Sequence, residues 1–230
     1  MRIFILSDLH AAIADVLGTE RFPLGAYLTK DDYLILLGDL ELHLFNYAGL
    51  KFLESCPWTS LLIDGNHDRL PDYFGLPLEE KFGGYVGVFY DNILYLRRGE
   101  VYTILGKKFF CMGGALSIDR AWRKEGMSWW QEEVPTEDDY RHAEHCLGYS
   151  DWEVDYVLTH TCPLSAIDLF GFPVHPNDKY YDKTWDRFEV LLYKMKVKEW
   201  YFGHWHRDIT AEQNGVKFHS VYLQVRELKI

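Results

Sequence analysis

Residues 3–10 read IFILSDLH, an apolar run of four residues followed by Ser7, Asp8, Leu9 and His10. An unbroken apolar run of this length is typical of a parallel strand that is buried on both faces. In open α/β sheets, ligands bind just beyond the carboxyl ends of such strands. The stretch therefore predicts a buried first strand with Asp8 and His10 at its functional end.

The same arrangement, an apolar run followed by a carboxylate, carboxamide or imidazole, recurs four more times along the chain. The runs are YLILL before Gly38-Asp39, SLLI before Asp64-Gly65-Asn66-His67-Asp68, YVL before Thr159-His160, and WYF before Gly203-His204-Trp205-His206. Strand patterns alternate with helical ones from end to end, which indicates an α/β fold with a mixed or parallel sheet. We expect five strand ends to deliver these polar residues to one edge of one sheet.

Helical patterns occupy three segments between the predicted strands. The first runs from Leu44 to Glu54, the second is capped by Thr136 and ended by Gly148, and the third is opened by Thr184 as a possible cap. On the second helix, His142 and His145 lie off the apolar stripe. We interpret these two histidines as part of a solvated face rather than as a second metal site.

Turn-forming residues predict three hairpins. They lie at residues 97–100, between Ile93–Leu96 and Val101–Leu105, at Gly106-Lys107, and at Asn214-Gly215. The stretch 118–135 fits neither a helical nor a strand period. We therefore predict a single domain over residues 1–230, with a loop or lid insertion around residues 114–135.

Composition narrows the classes of partner. The chain has 230 residues, 48% of them hydrophobic, and a formal net charge of −11, which argues against salt-driven binding to nucleic acid or to an anionic membrane. No apolar stretch approaches the roughly 20 residues of a membrane-spanning helix. The four cysteines form no C-x-x-C pair, which predicts reduced thiols in a cytoplasmic protein.

The polar residues at the strand ends have the side chains that bind divalent metals. On an extended backbone, Asp8 and His10 leave the same face because they are two residues apart, and the same holds for His204 and His206. The full set of candidate ligands is Asp8, His10, Asp39, Asn66, His160, His204 and His206. A single histidine after a strand is more often structural, but seven such residues at five strand ends favour a metal site.

The ligand types also suggest which ions bind. Nitrogen and oxygen ligands without a thiolate suit Mn²⁺, Fe or Zn²⁺ better than Ca²⁺. Two ions roughly 3.5–4 Å apart would hold a phosphoryl group and lower the pKa of a bridging water toward ~7. Such a centre would tolerate an anionic substrate despite the negative chain, because bound cations reverse the local charge.

In this order, the blocks D-x-H, G-D, G-N-H-D, H and G-H-x-H resemble the calcineurin-like metallophosphoesterase family, from Asp8 to His206. The resemblance implies a four-layer α-β-β-α sandwich with mixed sheets and a two-metal centre at one end. It implies that Asp8, His10 and His206 bind the first ion. It implies that Asn66, His160 and His204 bind the second ion, and that Asp39 bridges the two. Mn²⁺ is the ion we expect first.

The resemblance also implies residues that act without binding metal. His67 would lie over the phosphate and protonate the leaving oxygen, and Asp68 would orient His67. Many members follow G-D with an acidic-Arg pair, whereas here Asp39 is followed by Leu40-Glu41-Leu42-His43. The missing arginine disfavours a protein phosphatase. Arg120 or Arg123 would supply the phosphate contact instead, unless both pair with acidic neighbours in the same segment.

We therefore expect a two-metal phosphoesterase, in which a hydroxide bridging the ions attacks a phosphate monoester or diester of a small molecule or nucleotide. One alternative is a nuclease of the same family, which would need a basic groove. Another is a non-catalytic protein-binding scaffold, because a fold does not fix a function. The sequence leaves the natural substrate, the ester type and the oligomeric state open.

Overall fold

The computed structural model describes residues 1–174 and 181–230. Within these residues there are thirteen strands: β1 (Ile3–Leu6), β2 (Tyr33–Leu37), β3 (Thr59–Ile63), β4 (Leu78–Lys81), β5 (Gly84–Tyr90), β6 (Ile93–Leu96), β7 (Val101–Ile104), β8 (Lys107–Met112), β9 (Tyr156–Thr159), β10 (Glu199–Phe202), β11 (Ile209–Gln213), β12 (Val216–Ser220) and β13 (Arg226–Leu228). The α-helices are α1 (Ile13–Leu17), α2 (Ala48–Ser55), α3 (Leu70–Phe74), α4 (Glu137–Tyr149), α5 (Leu164–Phe170) and α6 (Thr184–Lys194). None of these helices has the length and apolar character needed to cross a bilayer.

The strands form two mixed sheets. The first has the order β13-β1-β2-β3-β6-β5-β4, with β1, β2, β3 and β6 parallel to one another. The second has the order β11-β12-β10-β9-β8-β7, with β12, β10, β9 and β8 parallel. In each sheet the antiparallel pairings lie outside the four parallel strands, toward the edges.

Alternating side chains of the parallel strands build separate cores on the two faces of each sheet. In β1, Ile3 and Ile5 pack between the two sheets, whereas Phe4 and Leu6 pack against α1 and α2. The outer face of the second sheet packs against α4, α5 and α6. The order of layers is therefore helix, sheet, sheet, helix, which confirms the predicted four-layer α-β-β-α sandwich.

The prediction that all five strand ends share one sheet was wrong. β1, β2 and β3 belong to the first sheet, and β9 and β10 to the second. The register aligns the carboxyl ends within each sheet, with Leu37 opposite Ile63 and Thr159 opposite Phe202. The two sets of strand ends meet across the sandwich, because the buried His160 ring contacts the carbonyl oxygen of Leu37 at 2.6 Å.

The predicted hairpin at residues 97–100 was also wrong. β6 pairs with β3 and β5 in the first sheet, whereas β7 pairs with β8 in the second, so these four residues cross from one sheet to the other. A buried contact holds the crossing in place, since the Arg98 guanidinium donates to Asp64 at the end of β3. The predicted hairpin at Asn214-Gly215 is confirmed. The one at Gly106-Lys107 is present with its turn one residue earlier, at Leu105-Gly106, because Lys107 is already paired with Ile104 in β8.

Two of the three helix predictions needed correction at their starts. Thr136 caps α4 as predicted, in a reciprocal pair of hydrogen bonds with Asp139. The segment from Leu44 splits into a 3-10 turn and α2, because Phe45, Asn46 and Tyr47 have positive φ angles. Thr184 is the first residue of α6 rather than its cap, and its backbone N–H donates to Asp182 Oδ1 at 2.8 Å.

Candidate metal centre

The candidate ligands converge through left-handed backbone rather than through the extended backbone that the sequence suggested. The φ angles are 58° at Asp8, 42° at His10, 54° at Asp39, 68° at His204 and 48° at His206. A non-glycine residue in the left-handed region of φ/ψ space costs on the order of 1–3 kcal/mol of conformational free energy, and such residues concentrate at functional sites. The strand ends therefore turn sharply, and these turns bring the side chains together.

One group of ligand atoms comes from both sheets. Asp8, His10, Asp39 and His206 each place a nitrogen or carboxylate oxygen within 4.8 Å of the others. The Nε2 atoms of His10 and His206 lie 3.0 Å apart, and His206 Nε2 lies 3.5 Å from Asp8 Oδ1. Asp8 is buried, whereas both imidazoles are partly exposed, so this group opens toward solvent.

A second group lies deeper. Asp39, His160 and His204 also place ligand atoms within 4.8 Å of one another. Asn66 completes this group, because its Oδ1 atom lies 3.0 Å from His160 Nε2 and 2.9 Å from His204 Nδ1. The structure thus brings all seven predicted ligands together, in two groups.

Asp39 belongs to both groups through different oxygen atoms. Its Oδ1 lies 3.3 Å from His160 Nε2, and its Oδ2 lies 3.9 Å from His10 Nε2. Burial alone would raise the pKa of Asp39, but the imidazoles of His160, His67 and His10 outweigh it and hold the pKa below its usual range. Asp39 is therefore an ionised carboxylate with one oxygen toward each group.

The charges of the centre suit divalent cations. Asp8 and Asp39 are buried carboxylates, which require positive charge nearby. Burial lowers the pKa of His160, but Asp39 and Asp8 more than compensate and raise it to about 10. The two carboxylates therefore favour the protonated, positively charged form of His160. Bound cations would supply the same positive charge. The nitrogen and oxygen donors fit Mn²⁺, Fe or Zn²⁺.

Two glycines allow these loops to approach closely. A Cβ atom at Gly38, where φ is +90°, would lie 2.6 Å from His160 Nδ1. A Cβ atom at Gly203 would collide with Ser7 and with the Asp8 carboxylate. Both positions therefore require glycine for the ligands to converge.

Asp68 contacts backbone rather than the His67 ring that it was predicted to orient. Its carboxylate accepts hydrogen bonds from the N–H groups of Asp39, Leu40, Glu41 and Gly65, at 2.8–3.0 Å. This buried side chain ties the loop after β2 to the loop after β3. Asp68 thus fixes the position of Asp39 and of the segment that carries Asn66 and His67, which corrects the predicted role.

His67 lies at the opening of the centre between groups of opposite charge. Its Nδ1 is 3.3 Å from Glu41 Oε1, and its ring contacts the guanidinium of Arg123. Glu41 also lies 3.5 Å from His10 Nδ1. Burial raises the pKa of Glu41, but the two imidazoles lower it to about 2, so this side chain is ionised.

Glu41 is a site residue that was not predicted from the sequence, since it lies one position before Leu42-His43, where related chains have the acidic-Arg pair. Ser117 and Glu133 were not predicted either. Asn66 Nδ2 donates to Ser117 Oγ, which in turn donates to Glu133 Oε2. No local pattern distinguishes these two residues, because the chain positions them through the folding of a long loop.

The two candidate phosphate-binding arginines lie in the loop after β8. Arg123 is held by Asp119, with its Nε 2.8 Å from Asp119 Oδ2, and its guanidinium reaches the His67 ring. Arg120 begins the 3-10 turn Arg120–Trp122 and is half-buried. Arg123 therefore fits both interpretations, because it pairs with the acidic neighbour Asp119 and also contacts His67 at the site.

A cavity of about 770 Å³ opens beside the centre. Asp39, Asn66, His67, His204 and His206 are among the residues that line it. Aromatic and aliphatic side chains line it as well, including Phe172, Pro173, Val174, Trp185 and Trp205. The cavity thus combines charged groups for an anion with an apolar wall.

Known protein families and solved structures include chains that are similar to this one. The family model for calcineurin-like phosphoesterases matches residues 1–208. No curated protein sequence gave a significant match. The fold is similar to that of a phosphopantetheinyl hydrolase from Mycobacterium tuberculosis, with 16% identity over 99% of this chain and 95% of that one and a TM-score of 0.52.

It is also similar to a putative 5'-nucleotidase from Staphylococcus aureus, solved in complex with alpha-ketoglutarate. The identity is 12%, the alignment covers 98% of this chain and 50% of that chain, and the TM-score is 0.52. Identities this low establish a shared fold only. The family match over residues 1–208 goes further: the chain belongs to the calcineurin-like phosphoesterase family and is a metal-binding enzyme that hydrolyses phosphate esters.

Proposed function

We propose that this enzyme uses two divalent ions to hydrolyse a phosphate ester of a small organic molecule. The observation that carries the proposal is the position of Asp39, whose two oxygens face two separate groups of ligands. A single ion would leave one group of nitrogen and oxygen donors without a function. The ion we propose first is Mn²⁺, with Fe or Zn²⁺ as alternatives.

In this proposal, Asp8, His10 and His206 hold one ion, Asn66, His160 and His204 hold the other, and Asp39 contacts both. When bound, two such ions supply an activated water at neutral pH and neutralise charge on the phosphate oxygens. The protein's part is to fix the ligands. Asp68 does this for two loops at once through its four backbone contacts.

His67 is our candidate for the proton donor to the leaving oxygen. It is not among the proposed ligands, it lines the cavity, and it is partly exposed, so a substrate can reach it. Glu41 orients the ring from one side, and Arg123 lies on the other, where its guanidinium can bind a phosphate oxygen. We keep Arg120 as a second candidate for phosphate binding.

The cavity supports a small-molecule substrate. Its volume of about 770 Å³ lies within the roughly 300–1,000 Å³ typical of small-ligand pockets. Its apolar wall suits the organic part of an ester, and the net charge of −11 disfavours a nucleic acid strand. The free thiols of all four cysteines are consistent with the cytoplasmic location that we propose.

The test is a substrate screen on protein loaded with Mn²⁺, with metal content measured on the same sample. We expect hydrolysis of at least one of p-nitrophenyl phosphate, bis-p-nitrophenyl phosphate, cyclic nucleotides and dinucleotides, and loss of activity after chelation. An Asp39→Asn variant serves as the control for contaminating phosphatases. If fully loaded protein hydrolysed none of these esters while single-stranded or double-stranded DNA was cut, the small-molecule proposal would give way to a nuclease.

A further inference from the structure

A second group of metal-binding side chains shares no residue with the metal centre. Glu100, His142 and Cys146 place a carboxylate oxygen, a ring nitrogen and a sulfur within 4.8 Å of one another. Glu100 lies in the connection that crosses between the sheets, and the other two lie on α4. His142 was predicted to lie on a solvated face, but its Nε2 lies 3.2 Å from the buried Glu100 carboxylate.

The fold holds these three residues in place. His142 and Cys146 are four residues apart on α4, so their side chains are neighbours on one face of the helix. Gly99 packs against α4 so closely that a Cβ atom there would lie 2.9 Å from the Ala143 nitrogen. The backbone of Glu100 is also fixed, because its carbonyl oxygen accepts a hydrogen bond from the Cys111 N–H at 3.0 Å. The arrangement is therefore set by backbone contacts and does not depend on flexible side chains alone.

Two of the three spacings are those found around a tetrahedral zinc ion. With zinc–sulfur and zinc–nitrogen bonds of about 2.3 and 2.05 Å, tetrahedral angles put sulfur and nitrogen about 3.5–3.6 Å apart, and nitrogen and oxygen about 3.3 Å apart. Cys146 Sγ lies 3.6 Å from His142 Nε2 and 4.0 Å from Nδ1, and Glu100 Oε1 lies 3.2 Å from Nε2. Glu100 Oε2 is 4.0 Å from the sulfur. Binding an ion would therefore require the partly exposed His142 ring to turn so that Nε2 faces the space between the three side chains.

The surroundings of Glu100 favour a cation. Its carboxylate is buried, with Arg97 Nη1 3.4 Å and His142 Nε2 3.2 Å from Oε1. A buried carboxylate is stabilised by nearby positive charge, which Arg97 supplies in part and a bound cation beside His142 and Cys146 would add to. His142 and Cys146 are half-buried, so an ion and a water molecule as fourth ligand have access.

From this geometry we propose that Glu100, His142 and Cys146 form a zinc site separate from the catalytic ions. One sulfur, one nitrogen and one oxygen ligand suit Zn²⁺ better than Mg²⁺, Ca²⁺ or Mn²⁺, which prefer oxygen. A bound ion would fasten the connection between the two sheets to α4. Its role is thus structural, and it adds to stability by binding the folded chain in preference to the unfolded one.

Cobalt(II) substitution tests the proposal, because the proposed catalytic ligands include no thiolate. We expect wild-type protein titrated with Co²⁺ to develop a thiolate-to-cobalt charge-transfer band in the near ultraviolet. Cys146→Ser and His142→Ala should lose the band, and each should bind one zinc equivalent fewer than wild type by elemental analysis. His145→Ala is the matched control on the same helix, and it should retain both the band and the ion.

Thermal unfolding provides a readout that does not depend on spectroscopy. Added Zn²⁺ should raise the Tm of wild type and of His145→Ala more than that of Cys146→Ser, a nearly isosteric change at a half-buried position. The proposal is overturned if wild type shows no charge-transfer band, or if Cys146→Ser keeps the band and the same zinc content. Since none of these readouts uses phosphoesterase activity, failure here would leave the proposed function intact.

Discussion

Asn66 Nδ2 donates a hydrogen bond to Ser117 Oγ at 2.9 Å, and this contact determines which atom of the Asn66 carboxamide faces the metal centre. Ser117 Oγ can accept from Asn66 because it donates its own proton to Glu133 Oε2, at 2.6 Å. With its nitrogen committed to Ser117, Asn66 turns Oδ1 toward His160 and His204. An oxygen ligand is thereby oriented by two residues that do not touch the metal site themselves.

We therefore expect Ser117→Ala to weaken metal binding without unfolding the protein. Loss of a contact that orients a metal ligand typically lowers metal affinity or activity about 10–100-fold. The measurement is a competition titration with a chromophoric chelator. Ser165→Ala is the control, because Ser165 Oγ is buried and has no hydrogen-bond partner among the described residues. Equal affinities for wild type and Ser117→Ala would show that the orientation of Asn66 does not depend on this contact.

His67→Ala should lower kcat while the metal content stays at the wild-type value. Removing a general acid typically costs about 10²–10⁴-fold in rate. Glu41→Gln keeps the shape of the side chain but removes the charge that faces His67 and His10, so we expect a smaller loss of kcat and an altered pH–rate profile. Steady-state kinetics on the best ester from the screen, with metal analysis, measures both effects. An unaltered kcat in His67→Ala would remove this residue from the mechanism.

Arg123→Ala should lower kcat/KM about 10–100-fold. This loss corresponds to the roughly 1.5–3 kcal/mol that a hydrogen bond to a charged group contributes. Arg123→Lys should restore little of this, because an ammonium group lacks the planar pair of donors that fits phosphate oxygens. Arg120→Ala, measured in parallel, reports whether the other candidate contributes. Wild-type kcat/KM in Arg123→Ala would place its guanidinium outside the substrate contacts and leave it a partner of Asp119.

The stability of the metal-free protein should depend on pH through His160. Its folded-state pKa of about 10 lies above the ordinary value of 6.5, so between these values the folded chain holds a proton that the unfolded chain has lost. The free energy of unfolding should therefore fall as pH rises through this window, by up to about 1.4 kcal/mol per pH unit. Urea unfolding from pH 6.5 to 10 measures this slope. The His160→Gln variant should have a smaller slope than wild type between pH 6.5 and 8.5, below the range in which the cysteine thiols ionise, and equal slopes would contradict the assignment of the proton.

The residues of the centre could be predicted from sequence because each follows an unbroken apolar run. Burial of such a run on both faces leaves its carboxyl end as the place where polar groups can lie, so Asp8, Asp39 and His160 were recognisable individually. The backbone geometry of these residues could not be predicted from the sequence. The left-handed turns at Asp8 and His204 arise from packing between two sheets, and a local pattern contains no record of that packing.

Sheet membership was the other feature that local patterns could not provide. The residues between β6 and β7 resemble a hairpin turn, but Arg98 is buried against Asp64 and the carbonyl oxygens of Glu132 and Glu133. These partners lie about 34 residues away in both directions along the chain. Ser117 and Glu133 could not be predicted for the same reason, since Ser117 contacts Asn66 from 51 residues away and Glu133 acts through Ser117.

The most direct test of the two-ion centre is a crystal of the protein grown with Mn²⁺ and measured at a wavelength where manganese scatters anomalously. We predict two anomalous peaks on either side of the Asp39 carboxylate, one among Asp8, His10 and His206 and the other among Asn66, His160 and His204. A single peak, or peaks that lie away from Asp39, would contradict the account.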